Sequence, residues 1–338
     1  MQDEGTFKNM GDYMVSVLPR IDRVLAKRDT EFLLRPLEAT VEFVLGCRVD
    51  ESGERSRTAA LSVAEIGSES FAILYARAEN WYRDRFGDAL DRRLDERISG
   101  VVEIAGSPFD IEVPTIRTRP GVRGETVWMS APDGVRDDED PLSWVSSALN
   151  LTPNERALAL NEATVTAGRL RFIRTGLIGV QSGDDVLDGL RAGMLPRLKA
   201  AANMLLQPDP QGMQYAAWEL QLACEKALKA LAQQRHGRFS QTHDLFALFD
   251  EIDPAPPFDR RLLNRLPRWK DSANMRYGQG ERISRHVALA FYRTALEVTA
   301  GAVRGMTRFD IGQAEFEIKR PPWFAVLNQA DSGAGPVV

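Results

Sequence analysis

The chain has 338 residues, 43% hydrophobic and 27% charged, with a formal net charge of −5. That length accommodates two domains. The acidic balance argues against a protein that coats nucleic acid over its whole surface, while leaving room for a local basic patch. Residues 1–11 hold no signal-peptide core, and no apolar run approaches the roughly 18 residues of a membrane span. Cys47 and Cys224 both lie in apolar patterns that suit buried, reduced thiols. The expectation is a reduced, cytoplasmic protein. Its 43 basic residues divide into seven Lys and 36 Arg, a choice that fits either genome composition or a need for forked contacts to phosphate and carboxylate.

In chain order, Met10–Lys27 carries Met14, Val17, Leu18, Ile21, Val24 and Leu25 at helical spacing, with Pro19 expected to kink or restart the helix. Val41, Phe43, Leu45, Cys47 and Val49 alternate with other residues, which predicts a strand. Glu51–Arg57 reads as a loop. Ser68–Phe86 is helical in pattern. Three strands are expected over Ile98–Ala105, Phe109–Thr118 and Thr126–Ser130, separated by the turn chemistry of Gly106-Ser107-Pro108 and Pro120-Gly121. They are read as an antiparallel meander covered by the Ser68–Phe86 helix. Asp133–Asp140 reads as a solvated linker.

From Pro141 onward the texture becomes helical. Thr152-Pro153-Asn154-Glu155 combines a cap, a proline at the first position and a glutamate at the third. Asp184–Leu206 is amphipathic, and Pro208-Asp209-Pro210 breaks it. Met213–Gln233 follows with apolar residues three and four apart, and Glu225 is spaced to pair with Lys229. Phe309–Lys319 returns to alternation, as a strand that needs a sheet to join. The fold class is therefore α+β: an N-terminal antiparallel sheet with helices, plus an all-α up-and-down bundle. The expected division is an α/β domain at 1–155, a helical domain at 156–306 with its core at 184–306, and a returning strand with a tail at 307–338.

One ordered set of segments is more specific. Ala223-Cys224-Glu225-Lys226-Ala227-Leu228-Lys229-Ala230-Leu231 precedes a loop with Gly237. Thr242-His243-Asp244-Leu245 and then Met275-Arg276-Tyr277 follow. This set resembles the HEPN domain family over roughly Asp184–Met306. The resemblance implies a bundle of four or five helices, often dimeric, in a family tied to nucleotide and RNA biology. Its catalytic members carry an Arg, four to six residues and a His, acting as a metal-independent ribonuclease pair. In such a pair Arg stabilises the charge on phosphate and His moves the proton. Arg238 and His243 have that spacing. Thr242, however, also reads as an N-cap with Asp244 in the first turn, a structural role for the same segment. His286 lies nearer the late helix, but Arg282 stands only three intervening residues upstream. Three scattered histidines without a Cys or carboxylate cluster predict no metal site, and no cofactor motif is present.

Between Phe258 and Arg293 nine basic residues face three acidic ones. Arg260, Arg261, Arg265, Arg268, Lys270, Arg276, Arg282 and Arg285, with Tyr277 among them, form the candidate nucleic-acid-binding set, since cations interleaved with aromatic rings suit phosphate contact and base stacking. A solvated helix face is the alternative. The leading reading is an RNA- or nucleotide-binding or assembly protein without ribonuclease activity, homodimeric through its bundle and not membrane-bound. The competing readings are a metal-independent endoribonuclease of a bacterial toxin or phage-defence system, and a pure dimerisation module.

Overall fold

The computed structural model describes residues 10–47, 61–90, 97–120, 126–147, 149–180, 182–277, 279, 282–312 and 314–319. In chain order the elements are α1 (Met10–Lys27), α2 (Arg35–Cys47), α3 (Val63–Ile66), α4 (Glu69–Phe86), β1 (Arg97–Ile104), β2 (Ser107–Pro114), β3 (Arg117–Pro120), β4 (Thr126–Ser130), α5 (Pro153–Gly179), α6 (Asp185–Ala192), α7 (Met194–Leu206), α8 (Pro210–His236), α9 (Leu245–Asp250), α10 (Trp269–Met275), α11 (Arg285–Arg304) and β5 (Glu315–Lys319). The α+β class is thus as expected. The chain divides into two compact units. One comprises residues 1–94, 119–128 and 317–338, and the other residues 95–118 and 129–316. Among the described residues no helix is long and apolar enough to cross a membrane.

In the first unit α1, α2 and α4 close around Met14, Leu18, Leu25, Phe43 and Tyr82. The helix α1 passes through Pro19 without a break. Pro19 lies on the exposed face, where water can satisfy the carbonyl that the missing N–H leaves free. The strand expected over Val41–Val49 is instead the helix α2, as far as its residues are described. Its buried residues, Pro36, Ala39, Thr40 and Phe43, stand three and four apart. Pro36 in the first turn favours helix, and the Thr40 hydroxyl donates back to the Pro36 carbonyl at 2.8 Å. Alternation over 41–47 was therefore accidental, and Cys47 is exposed rather than buried. The Glu51–Arg57 loop and the C-terminal tail lie outside the described residues.

The second unit is built on α8. Asp209 caps its start by accepting from the Gln211 N–H, and Gly237 ends it in the left-handed region at φ 67°, where glycine carries no Cβ penalty. Small residues on α8 (Ala216, Ala217, Ala223, Ala227 and Ala230, all fully buried) let α7 and α11 approach closely on either side. The Cys224 thiol lies 3.9 Å from the Ala295 carbonyl of α11. The capping box on α5 forms as the sequence predicts, with Thr152 and Glu155 each satisfying the other's backbone.

Strands β1 and β2 form a hairpin in register from Arg97↔Pro114 to Ile104↔Ser107. Ala105 and Gly106, at φ 49° and 78°, make the two-residue left-handed turn that matches strand twist. The three-stranded meander does not form. The pair β1–β2 stands alone as one sheet, and β4 belongs to a second sheet in the order β3-β4-β5. The cover of β1 comes from α5 and α7, whereas α4 packs with α1 and α2.

The acidic stretch 133–140 is only partly a solvated loop. Glu139 pairs with Arg171 of α5, a side chain with no solvent exposure. Arg171 donates to both Glu139 oxygens at 2.5 and 2.9 Å and to the carbonyls of Pro114 and Gly134 at 2.8 and 2.9 Å. Its guanidinium lies 4.6 Å from the Trp144 ring centre. Burial alone would raise the Glu139 carboxyl, but the Arg171 hydrogen bonds, the Arg136 backbone N–H and the charges of Arg171 and Arg117 hold it below the ordinary carboxylate range.

Candidate functional site

The site begins with a stripe on α8. Gln221, Glu225 and Lys229 recur every fourth residue and so share one face of the helix. All three are buried in an otherwise apolar helix. Lys229 Nζ donates to Glu225 Oε1 at 2.8 Å, with both side chains 8% exposed, and it lies 5.3 Å from the Phe239 ring centre. The spacing of this pair is visible in the sequence, but its burial is not. Buried charges must be paired and hydrogen-bonded, and the third member of this group is His243.

His243 sits in the turn before α9. The N-cap of α9 is Asp244, whose carboxylate accepts from the Phe246 N–H at 2.9 Å. Thr242 is therefore not the cap; its hydroxyl accepts from the Asp244 N–H at 3.1 Å. This shift of two residues leaves His243 outside the helix. Gln221 Nε2 donates to the His243 carbonyl at 3.1 Å. The imidazole Nδ1 lies 3.0 and 3.1 Å from the two Glu225 oxygens, and the side chain remains 46% exposed. A carboxylate on Nδ1 fixes the ring's orientation and assigns the free role to Nε2, to which no described residue is hydrogen-bonded.

An aromatic row extends from this imidazole. The His243 and Trp269 rings stack with centroids 3.9 Å apart and planes at 14°. Trp269 meets Trp218 at 5.1 Å, and Arg276 lies 5.4 Å from the Trp218 centre and 5.6 Å from that of Tyr277. Trp269 opens α10, which packs against α8, so the row is mounted on helices rather than on free loops. Beside it lies a cavity of about 650 Å³, lined by His243, Trp269, Phe246, Gln221, Arg268 and Lys270. Asp244 and Asp271 also border it. Aromatic faces, two cations and one oriented imidazole are the groups that hold a base and its phosphate.

The remaining expected residues are dispersed. Arg238 lines a different cavity, with His236, Ser240 and Glu251, so the Arg238–His243 spacing does not bring the two into one pocket. His286 is 74% exposed and its Nδ1 lies 3.0 Å from Glu103, which Arg293 also binds at 2.8 Å. Burial would raise the Glu103 carboxyl, but the hydrogen bonds from His286 and Arg293 hold it low. Arg282 is exposed, with no ion pair or hydrogen bond to a described residue. Arg260 is committed to Asp250 through bonds of 2.7 and 2.6 Å and to the Phe246 ring at 4.7 Å. Arg285 donates to the Gln207 carbonyl at 3.2 Å. Arg261 and Arg265 are exposed on the 3-10 helix Arg260–Arg265. Of the basic set, Arg268 and Lys270 line the cavity with His243, and Arg276 with the 70%-exposed Tyr277 continues its aromatic row.

The sequence pattern named His243, Arg268 and Lys270 but gave Gln221, Glu225, Trp218 and Trp269 no assigned role in a site. Polar residues at 221, 225 and 229 within an alanine- and leucine-rich helix were the available signal.

The fold defines an all-α bundle with a polar cavity beside its central helix. Residues 198–304, in the C-terminal part of the chain, match the HEPN domain family. The matched segment runs from Leu198 in α7 to Arg304 at the end of α11 and contains the whole His243 site. The N-terminal half has no family match. Neither the curated proteins nor the solved structures gave a match.

Proposed function

We propose that this protein binds single-stranded RNA or a nucleotide in the cavity beside His243. The observation that carries the reading is the close stack of His243 on Trp269 within a cavity that also presents Arg268 and Lys270. The aromatic row stacks a base, the two cations take phosphate, and the tethered imidazole presents Nε2 as a hydrogen-bond acceptor to a ribose hydroxyl. Arg238 lines another cavity, so the pair that the spacing suggests is not assembled here, and binding is the leading reading. The protein is proposed to be cytoplasmic and homodimeric through its helical bundle. Purified protein should shift a labelled single-stranded RNA, with affinity falling steeply as salt rises. Intact RNA throughout is the expected accompaniment. No affinity for RNA or nucleotide at low salt would overturn the reading.

A second reading has its own observation. Glu225 on Nδ1 leaves Nε2 to carry a proton, which is how a general acid or base is oriented. On that reading the protein is a metal-independent endoribonuclease, in which Arg268 or Lys270 takes the place of the missing partner. RNA cleavage in the presence of a chelator, abolished by His243→Ala, would establish it.

A further inference from the structure

Glu225 faces two side chains that can each carry a positive charge. Lys229 Nζ donates to its Oε1 at 2.8 Å, and the His243 Nδ1 stands 3.1 and 3.0 Å from Oε1 and Oε2. The carboxylate and the lysine are each 8% exposed. Neither side chain has a further ion pair or hydrogen bond with a described residue. The ammonium otherwise meets only the Phe239 ring, 5.3 Å from its centre. A carboxylate so far from water needs one positive charge beside it, and a second adds repulsion. Lys229 is held in the core, one turn further along α8. The His243 side chain is 46% exposed and can shed a proton to water. The face of Trp269 would favour an imidazolium, so the lysine is the group that opposes one. The other charged residues at the cavity, Arg268 and Lys270 against Asp244 and Asp271, balance in number.

We propose that Lys229 is a positioning residue for this cavity: from inside the bundle it matches the charge of Glu225, so that the carboxylate holds the imidazole through Nδ1–H without charging it, and Nε2 is left as an acceptor. The assignment rests on the reading that the cavity takes a ribonucleotide ligand. An ionised carboxylate only accepts, so Nδ1 carries a hydrogen and the neutral ring has its lone pair at Nε2. Without the lysine, the imidazole itself would become the counter-ion of Glu225. Both ring nitrogens would then be donors, and a ribose hydroxyl would lose its acceptor. The total charge of the cluster would be the same. The change would be one of hydrogen-bond direction rather than of electrostatic field.

Nitrogen NMR of the histidine-labelled full-length protein at neutral pH provides the test, with the His243 signals identified by their loss in His243→Gln. The wild type should show a bare Nε2 and a hydrogen-bearing Nδ1. Lys229→Met should show hydrogen on both nitrogens. Lys229→Arg, which keeps the charge, should return the wild-type pattern. Binding should follow the same order. Wild type and Lys229→Arg should favour single-stranded RNA over its deoxy analogue about fivefold, through one hydrogen bond to the 2′-hydroxyl. Lys229→Met should lose that preference at neutral pH and regain it as the pH rises and the extra proton leaves, a response that damaged packing would not give. A hydrogen on Nε2 in the wild type, or a bare Nε2 in Lys229→Met, would overturn the proposal; the first measurement needs no variant and so does not depend on how the second folds. An RNA preference missing from a wild type with a bare Nε2 would instead sink the ribose contact of the proposed function, while the nitrogen patterns still decide the part played by Lys229.

Discussion

The second unit contains two buried polar centres, and they are finished differently. At Arg171 every side the guanidinium presents is used: two carboxylate oxygens, two carbonyls and an aromatic face. At Glu225 the network runs from a buried lysine to a buried carboxylate and then ends in an imidazole that is 46% exposed. Gln221 adds an amide oxygen with no hydrogen-bond partner among the described residues. A closed centre can only hold elements together. An open centre spends buried charge on orienting one side chain that faces outward. That contrast separates the structural arginine from the candidate functional histidine, although both rest on a buried ion pair.

The contrast can be broken most forcefully at Arg171. Replacing it by Met leaves Glu139 with Arg117, at 3.4 Å, as its remaining charge partner and should cost about 3 kcal/mol in a urea denaturation. RNA affinity of the fraction that remains folded should be unchanged. The same pair predicts an acid dependence. The folded Glu139 carboxyl is held low, so its contribution is present above the ordinary carboxylate pKa and is lost as pH falls through the lowered folded value. The wild-type denaturation midpoint should therefore drop between about pH 5 and pH 2 more steeply than that of Arg171→Met, followed by fluorescence.

The open centre should respond in two readouts together. Glu225→Gln leaves Lys229 buried without its charge partner and releases the imidazole, at a stability cost of about 2 kcal/mol. Weaker RNA binding should accompany that loss; unchanged binding would show that the tether has no part in recognition. Trp269→Ala should do the reverse, weakening RNA by about 1–3 kcal/mol through lost stacking while moving the melting temperature little. The smallest effect is expected at Arg260, which is committed to Asp250. Arg260→Ala should leave RNA affinity within about twofold, as for an exposed pair that does not itself line the cavity, and a larger loss in a filter-binding assay would return Arg260 to the interface.

Much of this architecture was written in local pattern. The capping box at Thr152–Glu155, the long helix after Asp209 and the ordered HEPN-like segments all depend on residues close in sequence. The errors share a cause. Period two over 41–47 could not be told from a helix face without knowing that Pro36, Ala39 and Phe43 were the buried set. The hairpin β1–β2 is legible in its turn residues, but its packing on α5 and α7 is a tertiary choice that the strand itself does not encode. The basic stretch is contiguous in sequence, whereas the fold sends Arg260 to α9, Arg285 to the end of α7, and only Arg268 and Lys270 to the cavity. The Arg238–His243 spacing was genuine in sequence. The turn through Ser240, whose backbone N–H donates to Glu251 at 3.1 Å, places Arg238 along another cavity.

The contact between Cys224 and the Ala295 carbonyl has a practical meaning. Burial pushes this thiol up to about 12, and only a thiolate reacts readily. It can meet an alkylating reagent only when α8 and α11 part, so the rate of its modification is a clock for the opening of the bundle. Cys47, exposed on α2, would be labelled without waiting, and so supplies the zero of that clock within the same chain.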